Sequence, residues 1–109
     1  EVIHMGDVIV DIIHRRLTNR RTEIERYLSP TEMTLLTELF SARGTIVRRD
    51  ALKRKCWGQI YVSDNALNRK LHEVRRTLSE VSSLVNIRTI YGTGFTIELK
   101  ESEQTTAAR

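Results

Sequence analysis

Apolar residues follow two different periods along this chain, which divide it into a β-rich start, a helical middle and a β-rich end. Three short runs rich in β-branched residues come first, at 2–5, 8–13 and 22–28. The pairs Gly6-Asp7 and Thr18-Asn19 separate these runs as turn residues do, so we expect an antiparallel sheet of roughly three or four strands over residues 1–28. Because so small a sheet is not stable alone in water, it must pack on the segment that follows.

A helix start follows the sheet at Ser29-Pro30-Thr31-Glu32. Ser29 can cap the free amides, Pro30 suits the first helical position, and Glu32 completes a capping box. An apolar stripe at helical spacing continues from this start: Met33, Leu35, Leu36, Leu39 and Phe40. Gly44 follows at a position where a left-handed residue commonly ends a helix, so a first helix is predicted between them.

A second helix is predicted from Asp50 to Trp57, and Gly58 ends it. Its helical projection turns Ala51, Leu52 and Cys56 inward and turns Lys53, Arg54 and Lys55 largely outward. The preceding pair Ile46-Val47 is long enough only for a bridging strand.

The third predicted helix starts at Ser63 or Asp64, runs to about Leu78 and has the clearest two-sided pattern. At about 100° per residue, an aliphatic stripe falls within about 60° of arc and comprises Leu67, Leu71, Val74 and Leu78. The opposite side is polar, with Asn65, Arg69, His72 and Arg76 at its centre, Asn68 and Arg75 along one edge and Lys70 along the other. This helix therefore has an apolar back and a front of amides, guanidinium groups and one imidazole.

Two alternating strands close the patterned part of the chain, at 85–90 and 95–99, around the turn Tyr91-Gly92-Thr93-Gly94. Together they predict a β-hairpin. Ile87 and Ile90 do not share a face of a regular strand, so we expect an irregularity near Thr89. Residues 101–109 have no apolar periodicity and are expected to form a disordered linker or tail.

Composition and charge narrow the functional classes. The chain has 109 residues, 39% of them hydrophobic, which suits a single domain at about residues 1–100. Residues 41–91 contain 11 basic and 4 acidic side chains, whereas residues 1–40 contain 5 and 7, so the basic excess lies in the middle. The one cysteine excludes an internal disulfide, and the three histidines have no ligand spacing. No cofactor, metal site or catalytic constellation is expected, and no apolar run is long enough to cross a bilayer.

Two further observations concern the start of the chain. No basic and apolar leader opens it, so no signal peptide is visible. Because the chain begins at Glu1 and not at methionine, we expect it to be a piece of a longer protein.

Three helices followed by a hairpin make the α+β plan of a winged helix–turn–helix, in which the third helix enters the DNA major groove. Arginine can bind guanine, asparagine can pair with adenine, and basic side chains neutralise phosphate. Two alternatives stay open at this point: the polar front is only the solvated face of an amphipathic helix, or it binds a protein partner.

Several segments resemble the OmpR/PhoB-type DNA-binding domain. They are the Ser29-Pro30-Thr31-Glu32 start with its leucines, Cys56-Trp57-Gly58, Tyr61-Val62-Ser63-Asp64, the Leu67/Leu71/Val74-Arg75/Leu78 pattern, and Ile87-Arg88-Thr89-Ile90-Tyr91-Gly92-Thr93-Gly94-Phe95. The resemblance covers roughly residues 7–100 and implies an N-terminal antiparallel sheet, a three-helix core and a C-terminal wing. It also implies a bacterial transcription regulator that binds promoter DNA sequence-specifically, usually as tandem copies on direct repeats. The loop over 58–63 would contact RNA polymerase, through Gly58, Gln59, Ile60 and Tyr61.

The resemblance also implies residue roles. In the third helix, Asn65, Asn68, Arg69, His72, Glu73 and Arg75 would lie at or beside bases and backbone, with Lys70 on a phosphate. In the hairpin, Thr89 would bind a phosphate and Tyr91 would lie at the wing tip beside the minor groove. Arg49, Arg76, Arg88 and Thr93 complete the set of predicted DNA contacts; of these, Arg49 precedes helix amides that also favour anions.

Three positions depart from the pattern of the family. Glu73 stands where the family often has a basic residue, so it would either repel phosphate or accept a hydrogen bond from a cytosine amine. Tyr91 stands where the wing frequently has arginine, and Arg48 where a serine or threonine cap is expected. We therefore expect an altered base preference with the docking geometry retained.

The segment Ser63-Asp64-Asn65-Ala66-Leu67 resembles the ToxR/CadC-like one-component regulators more closely than it resembles the response regulators. In that branch the DNA-binding domain is cytoplasmic and a membrane-spanning helix follows it. The membrane would then be reached only through a segment outside this chain.

Overall fold

The computed structural model describes residues 2–100, so the predicted tail over 101–109 lies outside the described residues. A four-stranded antiparallel sheet comes first in the chain, a helical layer follows, and a second sheet closes the fold. The elements are β1 (Val2–Met5), β2 (Val8–Asp11), β3 (Arg16–Asn19), β4 (Glu25–Tyr27), α1 (Pro30–Ser41), β5 (Val47–Arg48), α2 (Arg49–Trp57), α3 (Asp64–Val81), β6 (Val85–Ile90) and β7 (Gly94–Leu99).

The N-terminal sheet has the order β1-β2-β3-β4. The predicted antiparallel sheet is confirmed, but its strands differ from those that the sequence predicts. Thr18 and Asn19 lie in β3 opposite Ile9 and Val8, so their prediction as turn residues was wrong. Ile12 and Ile13 lie in the turn between β2 and β3, and Ile13 is 69% exposed. The segment of β3 is a strand and not a turn because Leu17, its single apolar residue, is completely buried. Leu17 thereby sets the register of β3, although its neighbours are polar.

Two of the three helices, α1 and α3, begin where their capping residues predict. In α1 the capping box is closed, because the Glu32 amide donates to Ser29 Oγ over 3.2 Å and the Ser29 amide donates to Glu32 Oε1 over 3.0 Å. The Ser63 hydroxyl accepts from the Ala66 amide at the start of α3. At α2 the cap position is Arg48, whose side chain makes no capping hydrogen bond.

The core is aliphatic and joins all three helices to both sheets. Its fully buried side chains include Leu35, Leu36, Leu52, Leu67, Leu71, Leu78, Val8, Val10, Leu17 and Phe40. The third helix extends three residues beyond the predicted end, because Val81 is buried as well. Lys53 was predicted to face outward, but it is only 7% exposed: its stem is covered and its Nζ binds Asp64 Oδ1 at 2.8 Å.

The second sheet forms the wing, with the order β5-β7-β6. Each residue of β6 pairs in unbroken antiparallel register with β7, from Val85 opposite Leu99 to Ile90 opposite Gly94. The expected irregularity near Thr89 is therefore wrong; Ile90 is simply half-buried on the other face of a regular strand.

A buried polar network ties the N-terminal sheet to the end of α3. Asn19 Nδ2 donates to Asp7 Oδ2 at 2.9 Å and to the Val81 carbonyl at 2.8 Å. The Ser82 hydroxyl donates to the other Asp7 oxygen at 2.6 Å. Since each of these groups has partners, the N-terminal sheet is fixed against the helix that carries the polar front.

Candidate nucleic-acid interface

Four polar side chains on the outer face of α3 are exposed and unpartnered. The aliphatic stripe of this helix is buried in the core, which turns the opposite face outward. The four residues are Asn65, Arg69, His72 and Arg76. Within residues 2–100 the structure gives their side chains no hydrogen bond or ion pair, and they form what we call the free face of α3. Their donors and acceptors are available to a ligand.

Lys70 and Glu73 lie beside the free face and neutralise each other in part. Lys70 Nζ is 3.3 Å from Glu73 Oε1 and 3.8 Å from Glu32 Oε2, so one ammonium serves two carboxylates. Contact with the Glu32 carboxyl group, and then the Lys70 ammonium, lowers the pKa of Glu73 below its ordinary value. Glu73 is thus an anion at neutral pH, and it can only accept hydrogen bonds.

Arg75 is turned toward the wing. Its Nε donates to the Ile87 carbonyl at 3.2 Å, and its Nη2 donates to the Thr89 hydroxyl. Partial burial lowers the pKa of this guanidinium, which stays charged because an arginine pKa is so high. Arg75 therefore links α3 to β6. Because the Thr89 oxygen accepts from Arg75, the hydroxyl proton of Thr89 remains available to an acceptor outside.

Arg49 lies where α2, α3 and the wing meet. Its guanidinium carbon is 5.2 Å from the centre of the Phe95 ring, in cation–π geometry. Its Nη1 donates to Asn68 Oδ1 at 3.2 Å. Asp64 is close by: the hydrogen bond and charge of Lys53, with a smaller contribution from Arg49, lower the pKa of its carboxyl group.

An open cleft separates the start of α2 from the wing tip. Its lining includes Arg48, Arg49, Thr89, Tyr91 and Thr93. Tyr91 is 95% exposed at the tip, and Arg88 points outward from β6. Cationic and hydroxyl groups thus continue from α3 to the wing along one side of the molecule.

The loop between α2 and α3 presents a second exposed surface. Gly58 ends α2 in the left-handed conformation, with φ of 77°. Tyr61 is 89% exposed, whereas Ile60 is half-buried, and the Gln59 side chain accepts from the Tyr61 amide. Just before the loop, burial raises the pKa of the Cys56 thiol to about 11, so Cys56 is a neutral, half-buried thiol at neutral pH.

Among residues 2–100, no three His, Cys, Asp or Glu side chains gather so as to bind a metal ion. In the same range, no helix has the length and apolar character needed to traverse a bilayer.

A helical core with a polar, cationic third helix and a C-terminal β-hairpin defines a winged helix–turn–helix DNA-binding domain. The family model described as transcriptional regulatory protein, C terminal, matches residues 23–97. The chain belongs to this OmpR/PhoB-type family of DNA-binding domains of transcription regulators, which is not an enzyme family. The predicted fold class is confirmed.

Relatives of known sequence support this membership. The transcriptional regulator HilA of Salmonella typhimurium is 35% identical over 75 residues, which is 69% of this chain. The response regulator protein GraR of Staphylococcus haemolyticus is 33% identical over 94 residues, 85% of this chain. The matches span only 14% of HilA and 41% of GraR.

Solved structures share the fold at lower identity. The DNA-binding domain of Escherichia coli CadC superposes with a TM-score of 0.79 at 21% identity, over 90% of this chain and 92% of that one. The Klebsiella pneumoniae RstA DNA-binding domain, solved in complex with the RstA box, gives 0.74 at 22% identity, over 90% and 97%.

The structure separates the predicted contact residues into two groups. Asn65, Arg69, His72 and Arg76 are free, and Arg88, Tyr91 and Thr93 of the wing are exposed. In contrast, Arg49, Asn68, Lys70, Glu73, Arg75 and Thr89 have intramolecular partners. Sequence reasoning missed Glu32 and Phe95 as neighbours of this surface, because one reads as a helix cap and the other as a core residue.

Proposed function

We propose that this chain is the sequence-specific DNA-binding domain of a bacterial transcription regulator, with α3 in the major groove and the wing at the adjacent minor groove. The observation that supports it best is the free face of α3, in which no side chain is committed to the protein. An α-helix fits the major groove, where the hydrogen-bond donors and acceptors of the base edges distinguish all four base pairs. Asn65, Arg69 and His72 are proposed to lie at base edges.

The surrounding residues are proposed to hold the backbone. Lys70, Arg76 and Arg88 supply positive charge near phosphates, and Thr89 supplies its free hydroxyl proton. Tyr91 and Thr93 are proposed to approach the minor groove from the wing tip. These contacts would fix the position of α3, while the free face would select the sequence.

Further parts of the proposal concern partners. The exposed Tyr61 and the loop Gly58–Gln59–Ile60 offer a surface to RNA polymerase, and a second copy would bind beside the first on a direct repeat. We place the domain in the cytoplasm, in a ToxR/CadC-like regulator whose membrane segment lies outside this chain. The Ser63-Asp64-Asn65-Ala66-Leu67 segment at the start of α3 supports that branch.

The salt dependence of DNA binding tests the proposal. Each neutralised phosphate should contribute about 0.9 log unit of affinity per decade of salt, so the three proposed cationic contacts (Lys70, Arg76 and Arg88) give about 2.7. Fluorescence anisotropy on a promoter sequence selected from a random library measures this slope. Arg88→Ala should reduce it by about one contact, whereas Arg20→Ala, in the turn after β3, should leave it unchanged. A flat slope, or no enrichment of any DNA, would instead favour a protein partner for α3.

Replacing Glu73 with alanine should change base preference more than affinity. The carboxylate only accepts hydrogen bonds, and a cytosine amine is the donor it can read in the major groove. Selection from a random library should therefore lose cytosine at one position. Glu80→Ala, which removes an exposed carboxylate near the other end of α3, provides the control and should keep that cytosine. A uniform rise in affinity on all sequences would mean that Glu73 only repels phosphate.

A further inference from the structure

The amide of Asn68 lies at the edge of the free face, and its orientation is fixed by the protein. Arg49 Nη1 donates to Asn68 Oδ1 over 3.2 Å. A guanidinium has five donors and no acceptor, so chemistry requires the amide oxygen, and not the nitrogen, at this contact. Asn68 itself is exposed, so its NH₂ group faces solvent.

Arg49 is itself held in place by neighbours on three elements. It is the first residue of α2, its guanidinium lies over the Phe95 ring of β7, and its Nη1 donates to Asn68 of α3. Phe95 is only 2% exposed, so the ring beneath the guanidinium is packed in the core. A cation fixed in this way can hold the Asn68 amide before any ligand arrives.

We propose that Arg49 is a positioning residue that makes Asn68 a donor, so that Asn68 selects a base with an acceptor edge, guanine or thymine, over adenine. The inference rests on the proposed function of α3. An asparagine that reads adenine must accept from the amino group at N6 while it donates to N7. The Asn68 oxygen retains a second lone pair, but an adenine amino group placed there would meet the Arg49 guanidinium, donor against donor. Guanine N7 and O6, or thymine O4, are acceptors, so each can take a hydrogen bond from the Asn68 NH₂ group without a donor approaching Arg49.

The test compares binding-site selection by the wild-type chain and three variants on one randomised duplex library. Asn68→Ala identifies the position that Asn68 reads, because its base preference disappears there. At this position the wild type should prefer guanine or thymine over adenine. Arg49→Met keeps the length of the side chain and removes its donors, so it should raise the ratio of adenine to guanine about ten-fold. Arg54→Met, an equal loss of charge at an exposed residue of the same helix outside the cleft, should leave that ratio unchanged.

A double variant separates positioning from direct contact. In the Asn68→Ala background, Arg49→Met should cause no further change at this position, since Arg49 acts through the amide. Adenine preferred by the wild type, or an unchanged ratio in Arg49→Met with a shallower salt slope, would overturn the proposal and make Arg49 a phosphate contact. If the wild type enriches no sequence, the proposed function itself fails, which is a different outcome. Thermal unfolding followed by circular dichroism verifies that each variant is folded.

Discussion

Replacing Arg69 with alanine should weaken binding to the preferred DNA sequence by about 1–3 kcal/mol, or roughly 5- to 150-fold, and relax the preference at one base step. Arg69 is exposed at the centre of the free face and has no partner within residues 2–100, so its guanidinium can bind a guanine through N7 and O6. Titration of the selected duplex, and of duplexes changed at single positions, measures both effects.

A comparison with Arg20→Ala isolates the role of Arg69, because both variants lose one positive charge and only Arg69 lies on α3. Arg20 occupies the turn after β3, next to Arg21, Leu84 and Lys100 in space. We expect Arg20→Ala to bind every duplex nearly as the wild type does. Equal weakening of Arg69→Ala on all duplexes would contradict base reading and assign Arg69 to the phosphate backbone.

Replacing Gly94 with alanine should destabilise the fold by at least about 1–3 kcal/mol, the range for inserting atoms into a filled space. A Cβ at this position would lie 2.2 Å from the Val47 carbonyl oxygen and 2.8 Å from its carbon. Both atoms belong to the backbone of β5, which pairs with β7 through Val47 and Phe95, so the strand itself would have to move. Urea unfolding followed by circular dichroism measures the loss.

The matched control is Gly92→Asn in the turn of the same hairpin. Gly92 has a φ of 74°, but a Cβ there meets nothing within 4 Å, and asparagine tolerates the left-handed conformation. We therefore expect a much smaller effect than at Gly94. If the two variants were equally stable, steric contact between β7 and β5 would not be what requires glycine at position 94.

Much of the fold could be predicted from the sequence, since its helices carry local signals. Ser29 and Glu32 mark one helix start, and the leucine stripe of α3 determines which face is buried. The strand β3 could not be predicted in this way: Leu17 is its only apolar residue, and its place between β2 and β4 depends on contacts distant in sequence. The burial of Lys53 likewise depends on Asp64, 11 residues further along the chain.

The candidate site shows the same division between local and distant determinants. Helical geometry alone predicts that Asn65, Arg69, His72 and Arg76 share one face, and the structure places all four there, exposed. It does not predict which of their neighbours are already bound. Arg75 meets Thr89 only because α3 packs on β6, and Asn68 meets Arg49 only because the fold brings the first residue of α2 beside α3.

The contacts of Asn19 have a consequence for where a minimal fragment should be cut. The match to the family model begins at residue 23, yet Met5, Val8, Val10 and Leu17 fill the interior from the strands before it. A shortened polypeptide that started at the family boundary would strip the Val81 carbonyl of its amide donor and open the hydrophobic interior to water. For this chain, the segment matched by the family model is therefore shorter than the segment that has to be expressed to keep the core complete.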